Sequence, residues 1–314
     1  MNITDRTTQF TEMDAYPTRL KDIERIVPRK DPVLWQDWDA GAPITQGQAR
    51  DYETKGYLVC KGLFSSDEID RLIAASVQLR ANGQHIRTED LVTEPGAAAV
   101  RTIFRLDEHS PLFARLAADT RLADVARFLL DDEVYLHQSR LNYKPGFIGK
   151  EFYWHSDFET WHAEDGMPRM RAVSASILLT DNSALNGPLM LIPGSHRHFI
   201  ACQGETPDAN HKTSLKQQKV GVPSNTALEK LTANAGLEAA TGPAGTVVFF
   251  ECNTLHASNS NVTPFPRSNA FFVYNAMSNQ PVMPFAARTP RPTFLANRGA
   301  AQAITPIRGD LTMA

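Results

Sequence analysis

The chain has 314 residues, 42% of them hydrophobic and 21% charged, and a net charge of −3. A chain of this length buries roughly 75% of the surface its unfolded form exposes, so it holds one large domain or two small ones with no disulfide or metal needed as a staple. The composition excludes wholesale disorder, the balanced charge offers no basic field for nucleic acid or anionic membrane, and no apolar run approaches the roughly 18 residues of a bilayer span.

The first residues carry acids early and lack the pattern of a secretory signal. The three cysteines, Cys60, Cys202 and Cys252, are far apart and odd in number. They predict neither a disulfide framework nor a zinc-thiolate site, and a reducing cytoplasm fits them best. Residues 1–40 hold scattered charges with Pro17, Pro28 and Pro32 and read as an arm packed on the domain. Residues 41–314 then form a single domain.

From Thr45 to Leu130 the pattern is mainly helical. Thr45 with Gln48, and Ser65 with Glu68, have capping-box spacing. Ile69, Leu72, Ile73 and Val77 repeat on one helix face. Gly56 ends the first helix, and Tyr57–Val59 reads as a short strand. Ser110 and Pro111 open a further helix, broken near Asp119 and Thr120.

From Val134 the texture changes to strands: Val134–Tyr143, Phe152–His155, Val173–Thr180, Leu189–Ile192, Thr246–Glu251 and Asn269–Asn275, with turn signals between them. Many strands joined by turns, with helices gathered at the N-terminal end, predict a mainly β fold with flanking α: a sandwich or jelly roll buttressed by N-terminal helices. The stretch from Cys202 to Asn234 is long and polar, with at most a short helix near Ala227–Leu231, and reads as a lid loop.

His155 and Asp157 form a His-x-Asp pair. On a strand, residues i and i+2 share a face, so both side chains project together. One more imidazole completes a 2-His-1-carboxylate triad suited to non-haem Fe(II), with open positions for oxygen and substrate. The pair alone is a common chance pattern in a chain with nine histidines. Its weight comes from His256 after a buried-type strand and from Arg267 eleven residues later. That His completes the triad, and that Arg can fork onto the far carboxylate of 2-oxoglutarate. The other histidines lack partners at ligand spacing. His162 lies too far along from His155, and His196 and His198 read as loop-bonding residues. Cys252 reads as a packed thiol.

Gln138, Arg140, Asn142 and Lys144 share one strand face. It either meets water at an edge or lines a cavity, and the nearby His-x-Asp strand favours the cavity. Arg267, Asn269, Phe271 and Val273 likewise share a face. A cavity of this lining suits a small, polar, charged molecule, because a greasy one would leave each polar group unpaired at about 1–3 kcal/mol.

The run from Phe152 through His155, Asp157 and Trp161 to Gly166, Met167 and Pro168 resembles the signature of the ectoine hydroxylases. These belong to the phytanoyl-CoA-hydroxylase-like branch of the iron and 2-oxoglutarate dioxygenases. The Asn186-Gly187-Pro188-Leu189 and Pro193-Gly194-Ser195-His196 segments resemble the wider branch. The resemblance implies a double-stranded β-helix, a cupin-type jelly roll. It implies Fe(II) on His155, Asp157 and His256, 2-oxoglutarate at Arg267, Lys144, Ser258 and Phe152, and O2 as second co-substrate. Gln138, Arg140, Trp161, Phe250, Asn269 and Phe271 would surround ectoine. It further implies a cytoplasmic homodimer that turns ectoine, a compatible solute, into 5-hydroxyectoine under osmotic or thermal stress, releasing succinate and CO2. Independently, an aromatic such as Trp161 can face ectoine's amidinium cation while Arg140 and Gln138 donate to its carboxylate. Two competing readings are the same chemistry on another small zwitterion, such as a proline-like amino acid, and a non-enzymatic metal-binding cupin. A clamp of Arg267 with Lys144 has no purpose in the latter.

Overall fold

The computed structural model describes residues 14–299, 301–309 and 311. The first 13 residues of the expected arm lie outside that range. The rest of the arm crosses the domain and adds β1 (Arg25–Pro28), which pairs antiparallel with β9 (His198–Ala201).

The helices begin where side chains satisfy free backbone N–H groups. Thr45 and Ser65 each close a full capping box, opening α1 (Gln46–Lys55) and α2 (Ser66–Ala81). Gly56 ends α1 in the left-handed region at φ 87° and leads straight into β2 (Tyr57–Cys60). In α2, Ile69 and Leu72 are buried, but Val77 is 49% exposed. The buried face continues through Ser76, with Ile73 and Leu79 packed partly against the core, and passes beside the expected Val77. After α3 (Leu106–His109) the break near Asp119 is real. Pro111 starts α4 (Pro111–Ala117), and Asp119 caps α5 (Thr120–Leu130).

Seven strands form one antiparallel sheet in the order β2-β11-β7-β13-β5-β4-β3. Its members beyond β2 are β3 (Leu91–Thr93), β4 (Val100–Phe104), β5 (Val134–Lys144), β7 (Ala172–Leu178), β11 (Val247–Glu251) and β13 (Arg267–Ala276). A smaller sheet faces it, in the order β10-β8-β12-β6, built from β6 (Phe152–His155), β8 (Leu189–Leu191), β10 (Glu238–Ala240) and β12 (His256–Ser258). The two sheets make the jelly-roll core that the sequence predicts. Side-chain alternation divides it into layers. Val247, Phe249, Ala270 and Phe272 join the helices α2, α4 and α5 in one apolar cluster, whereas Val248, Phe250 and Phe271 join Leu189 and Leu191 of the small sheet.

The sequence reading finds the long strands to within one or two residues. It misses β1, β3, β4, β9, β10 and β12, which are three to five residues long and, apart from β3, are defined by partners remote in sequence. The expected lid is more structured than a loop. It contains α7 (His211–Ser214) and α8 (Asn225–Ala235), the latter capped by Ser224. The preceding α6 (Asp157–Thr160) belongs to the site.

Candidate metal centre and its pocket

β6 ends at His155, and Ser156 caps α6, in which Asp157 is the first residue. Contrary to the sequence reading, His155 and Asp157 therefore do not share a strand face. They converge across a strand-to-helix bend instead. His256 opens β12, which pairs with β6 so that His256 stands opposite His155. The ligand atoms of His155, Asp157 and His256 all lie within 4.8 Å of one another. His155 Nε2 is 3.8 Å from Asp157 Oδ1, and His256 Nε2 is 3.9 Å from Asp157 Oδ2.

Each imidazole is turned inward by its own backbone. Nδ1 of His155 bonds the Tyr153 carbonyl at 2.6 Å, and Nδ1 of His256 bonds the Thr254 carbonyl at 3.0 Å. With Nδ1 as donor, the lone pair of each Nε2 faces the shared centre, which is the tautomer a metal requires. Asp157 Oδ2 is buried without a hydrogen-bond partner. Burial opposes its charge, but His256, Arg140 and His155 outweigh that and hold its carboxyl below the usual range. Burial, with the charge of His155, pushes His256 down to about 4. Two imidazoles with Nε2 turned to a common centre and an unpartnered carboxylate fit a divalent cation such as Fe(II).

The three open onto a cavity of about 140 Å³ between the sheets. Gln138, Arg140, Phe152, Trp161, Ser258, Arg267 and Phe271 line it, together with Asn142. Three expected site residues stand one layer behind. Lys144 is fully buried, with Nζ 2.8 Å from Ser258 Oγ and a further bond to the Asn259 carbonyl. The Phe250 ring lies 5.0 Å from that of His256 and 6.4 Å from that of Phe271. Asn269 bonds Ser176 and Asn182 inside the sheet.

Lys144 and Arg267 are register partners on β5 and β13. Neither forms an ion pair among the described residues, and Arg267 Nε is buried without a partner. Burial, then the charges of Arg267 and Arg101, push Lys144 down to about 6. Burial and Arg101 push Arg267 down to about 10. Two basic side chains buried side by side without a protein carboxylate suit a doubly charged anion, which would favour their charged forms. Arg140 sits 4.7 Å over the Phe271 ring and donates to Gln138.

The structure adds lining residues that the sequence reading does not name. Arg291 reaches the pocket from the C-terminal segment and forks onto Asp165, with Nε 2.8 Å from Oδ1 and Nη2 2.5 Å from Oδ2. Nearby, the Leu295 carbonyl accepts from Gln138 Nε2 at 2.7 Å. Asn210, Ser214, Leu215 and Gln218 of the lid segment also line the cavity. Arg291 sits in a proline-rich, aperiodic stretch 126 residues from Asp165, so no local pattern could announce it.

The phytanoyl-CoA dioxygenase (PhyH) family model matches residues 52–269. The ectoine dioxygenase of Sphingopyxis alaskensis is 54% identical over 298 residues, covering 95% of this chain and 97% of that protein. The crystal structure of EctD from S. alaskensis with 2-oxoglutarate and 5-hydroxyectoine is 51% identical, with a TM-score of 0.88, covering 95% of this chain and 99% of the other. The structure of the same enzyme with bound Fe is 50% identical at a TM-score of 0.87, with the same coverage. With the fold, the His-Asp-His cluster and these likenesses together, the chain belongs to the phytanoyl-CoA dioxygenase family, among the ectoine dioxygenases.

Proposed function

We propose that this protein hydroxylates L-ectoine to 5-hydroxyectoine, with Fe(II), 2-oxoglutarate and O2, releasing succinate and CO2. The observation that carries the reading is the adjacency of two receptors in one cavity. The cluster of His155, Asp157 and His256 shares the cavity lining with Arg267, which has no acidic partner among the described residues, and the buried Lys144 stands behind it. Relatives named ectoine dioxygenase, similar over nearly the full length, support the choice of substrate.

In this reading His155, Asp157 and His256 hold the iron, which with 2-oxoglutarate and O2 supplies the oxidising chemistry. The protein's own work is binding and orientation. Arg267 forks onto the distal carboxylate of 2-oxoglutarate, and Lys144 with Ser258 adds charge and a donor behind it. Phe152, whose ring already carries Arg101 at 3.7 Å and Lys144 at 5.6 Å, walls that subsite. Arg140 and Gln138 donate to the ectoine carboxylate. Trp161 and Phe271 face its delocalised cation, and Phe250 and Asn269 support that wall from behind. Fixing the ring decides which C–H bond faces the metal. Leu215 and Gln218 of the lid segment exclude water above it.

The proposal extends to residues 41–314 as one catalytic domain with residues 14–40 packed upon it, to a homodimer, and to a cytoplasmic location. No helix of the described residues is long and apolar enough to cross a membrane. Three free, buried cysteines suit a reducing compartment. Light scattering on the purified protein checks the dimer.

The deciding experiment is mass spectrometry of ectoine after incubation with the protein, Fe(II), 2-oxoglutarate and O2. The expected result is addition of one oxygen atom, matched by succinate. Hydroxylation of proline-like amino acids in preference to ectoine would move the substrate assignment, and absence of any ectoine-stimulated succinate would end it.

A further inference from the structure

Behind the metal cluster, two buried arginines of the N-terminal arm each grip the bend that presents one of its members. Arg19 forks onto Glu159, with Nε 2.6 Å from Oε1 and Nη2 2.9 Å from Oε2. Both side chains are almost fully buried, at 2% and 3% exposure. Glu159 is two residues past Asp157 in the same four-residue helix, α6. The Thr18 hydroxyl adds a third bond to Glu159 Oε1 at 2.8 Å, and Arg19 Nη2 also reaches Glu164 at 3.1 Å. Arg19 adopts the left-handed region at φ 56°, a conformation that costs a residue with a side chain energy and persists only where its surroundings hold it.

Arg29 repeats the device on the other side. Its Nη1 lies 2.8 Å from Glu251 Oε1, again between buried side chains. Glu251 closes β11, and its carboxylate accepts from the Asn253 N–H at 2.7 Å and from the Cys252 thiol at 3.0 Å. Those bonds set the bend from Cys252 to Leu255, whose Thr254 carbonyl turns His256 inward. The two bends are joined directly, since the Phe158 N–H donates to the Cys252 carbonyl at 2.9 Å.

We propose that Arg19 and Arg29 are positioning residues of the metal centre: each fixes, through one buried carboxylate, the bend that delivers Asp157 or His256. The proposal rests on the reading of His155, Asp157 and His256 as ligands. A buried ion pair whose only purpose is to fasten the arm can be replaced by neutral side chains without consequence for the site. A pair that sets ligand geometry cannot, because metal affinity depends on sub-ångström placement supplied by the surrounding bonds.

The test uses the full chain and four variants: Arg19→Met/Glu159→Gln, Arg29→Met/Glu251→Gln, Arg19→Lys and, as an exposed-arm control, Arg25→Ala. Each paired change removes both charges of the broken pair, and Glu164, the second carboxylate on Arg19, keeps its bond from Asn210. Cobalt(II) affinity is measured by calorimetry well below the melting temperature, and the ratio of succinate to hydroxylated product is measured with iron. Both double variants are expected to bind cobalt about tenfold more weakly and to release excess succinate. Arg19→Lys should fall between them and the wild type, and Arg25→Ala should match the wild type. Folded double variants with wild-type cobalt affinity would overturn the proposal. Where a double variant does not fold, Arg19→Lys carries the test, and wild-type affinity there is equally decisive against it. A wild-type protein that fails to bind cobalt overturns the ligand reading itself, which separates the two failures.

Discussion

Lys144 and Arg267 sit opposite each other in register, and neither has an acidic partner among the described residues. The two cations differ in what they can do. The Arg267 fork matches a carboxylate with two parallel bonds, whereas Lys144 is a point charge. Arg267→Lys is therefore expected to raise KM for 2-oxoglutarate on the order of tenfold or more, in line with roughly 1.5–3 kcal/mol for a charged hydrogen bond, while sparing KM for ectoine. Trp161→Ala should do the reverse, since an aromatic face over a desolvated cation is worth about 1–2 kcal/mol. Measuring both constants for both variants would expose an inverted placement of the two ligands. Lys144, pushed down to about 6, is mostly neutral at pH 7. A bound dicarboxylate raises it again, so binding should take up a proton. Calorimetry in buffers of different ionisation enthalpy measures that uptake, and Lys144→Met should abolish it. At this scale the sequence is legible where spacing is short. His155 and Asp157 are marked by their His-x-Asp spacing, and His256 and Arg267 by their place after the buried-type strand β11, although the alternation expected of the first pair does not hold. Arg291 on Asp165 and Arg19 on Glu159 are long-range pairs, and nothing local marks them.

The elements show the same division. Capping boxes at Thr45 and Ser65 and the αL glycine at Gly56 are local devices, and the helices start and stop where those residues predict. Short strands depend on partners remote in sequence, so β12, the strand that carries His256, becomes visible only once β6 and β8 flank it. The lid segment is another case. Its polarity reads as a loop, yet α8 is capped and partly packed, with Ala227 buried against Ile192 and Leu255. Its first half carries the pocket residues and is tied down at two points. Asn210 donates to Glu164 at 2.8 Å, and Gly221 presses on the Arg19–Glu159 pair. A Cβ at Gly221 would stand 2.1 Å from Glu159 Oε2, and φ is +71° there. Gly221→Ala is thus expected to cost on the order of 1–3 kcal/mol in stability and to weaken cobalt binding together with the arm variants. Hydrogen exchange in residues 208–220 should slow when metal, 2-oxoglutarate and ectoine are added, with α8 changing less. Equal protection with and without ligands would count against a lid.

Across the whole molecule, the jelly roll is legible because two facing sheets flanked by helices impose two periods at once, alternating strands and 3.6-residue helix faces. What composition cannot convey is how much charge the barrel buries. The large sheet carries Lys144, Arg267 and Arg101 near one another, with a single buried ion pair, from Arg101 to Glu94, offsetting them. This arrangement disfavours the unliganded fold and favours the liganded one. Burial places the folded-state pKa of Lys144 below its unfolded value of 10.5. Between the two values the unfolded chain holds the extra proton, so stability of the free protein should fall as pH drops through the lysine range, then level off beneath about pH 6. An anion in the site removes that penalty. At a hundredfold excess over its Kd, a ligand bound only by the folded state adds about 2.7 kcal/mol, which for a chain of this size is a rise in Tm of about 4 °C. Melting curves with metal and 2-oxoglutarate should show that rise at pH 7.5. The free protein should lose Tm between pH 9 and pH 6 more steeply than the liganded protein or Lys144→Met. Parallel pH dependences in all three would mean that Lys144 is not the group that links charge burial to ligand binding.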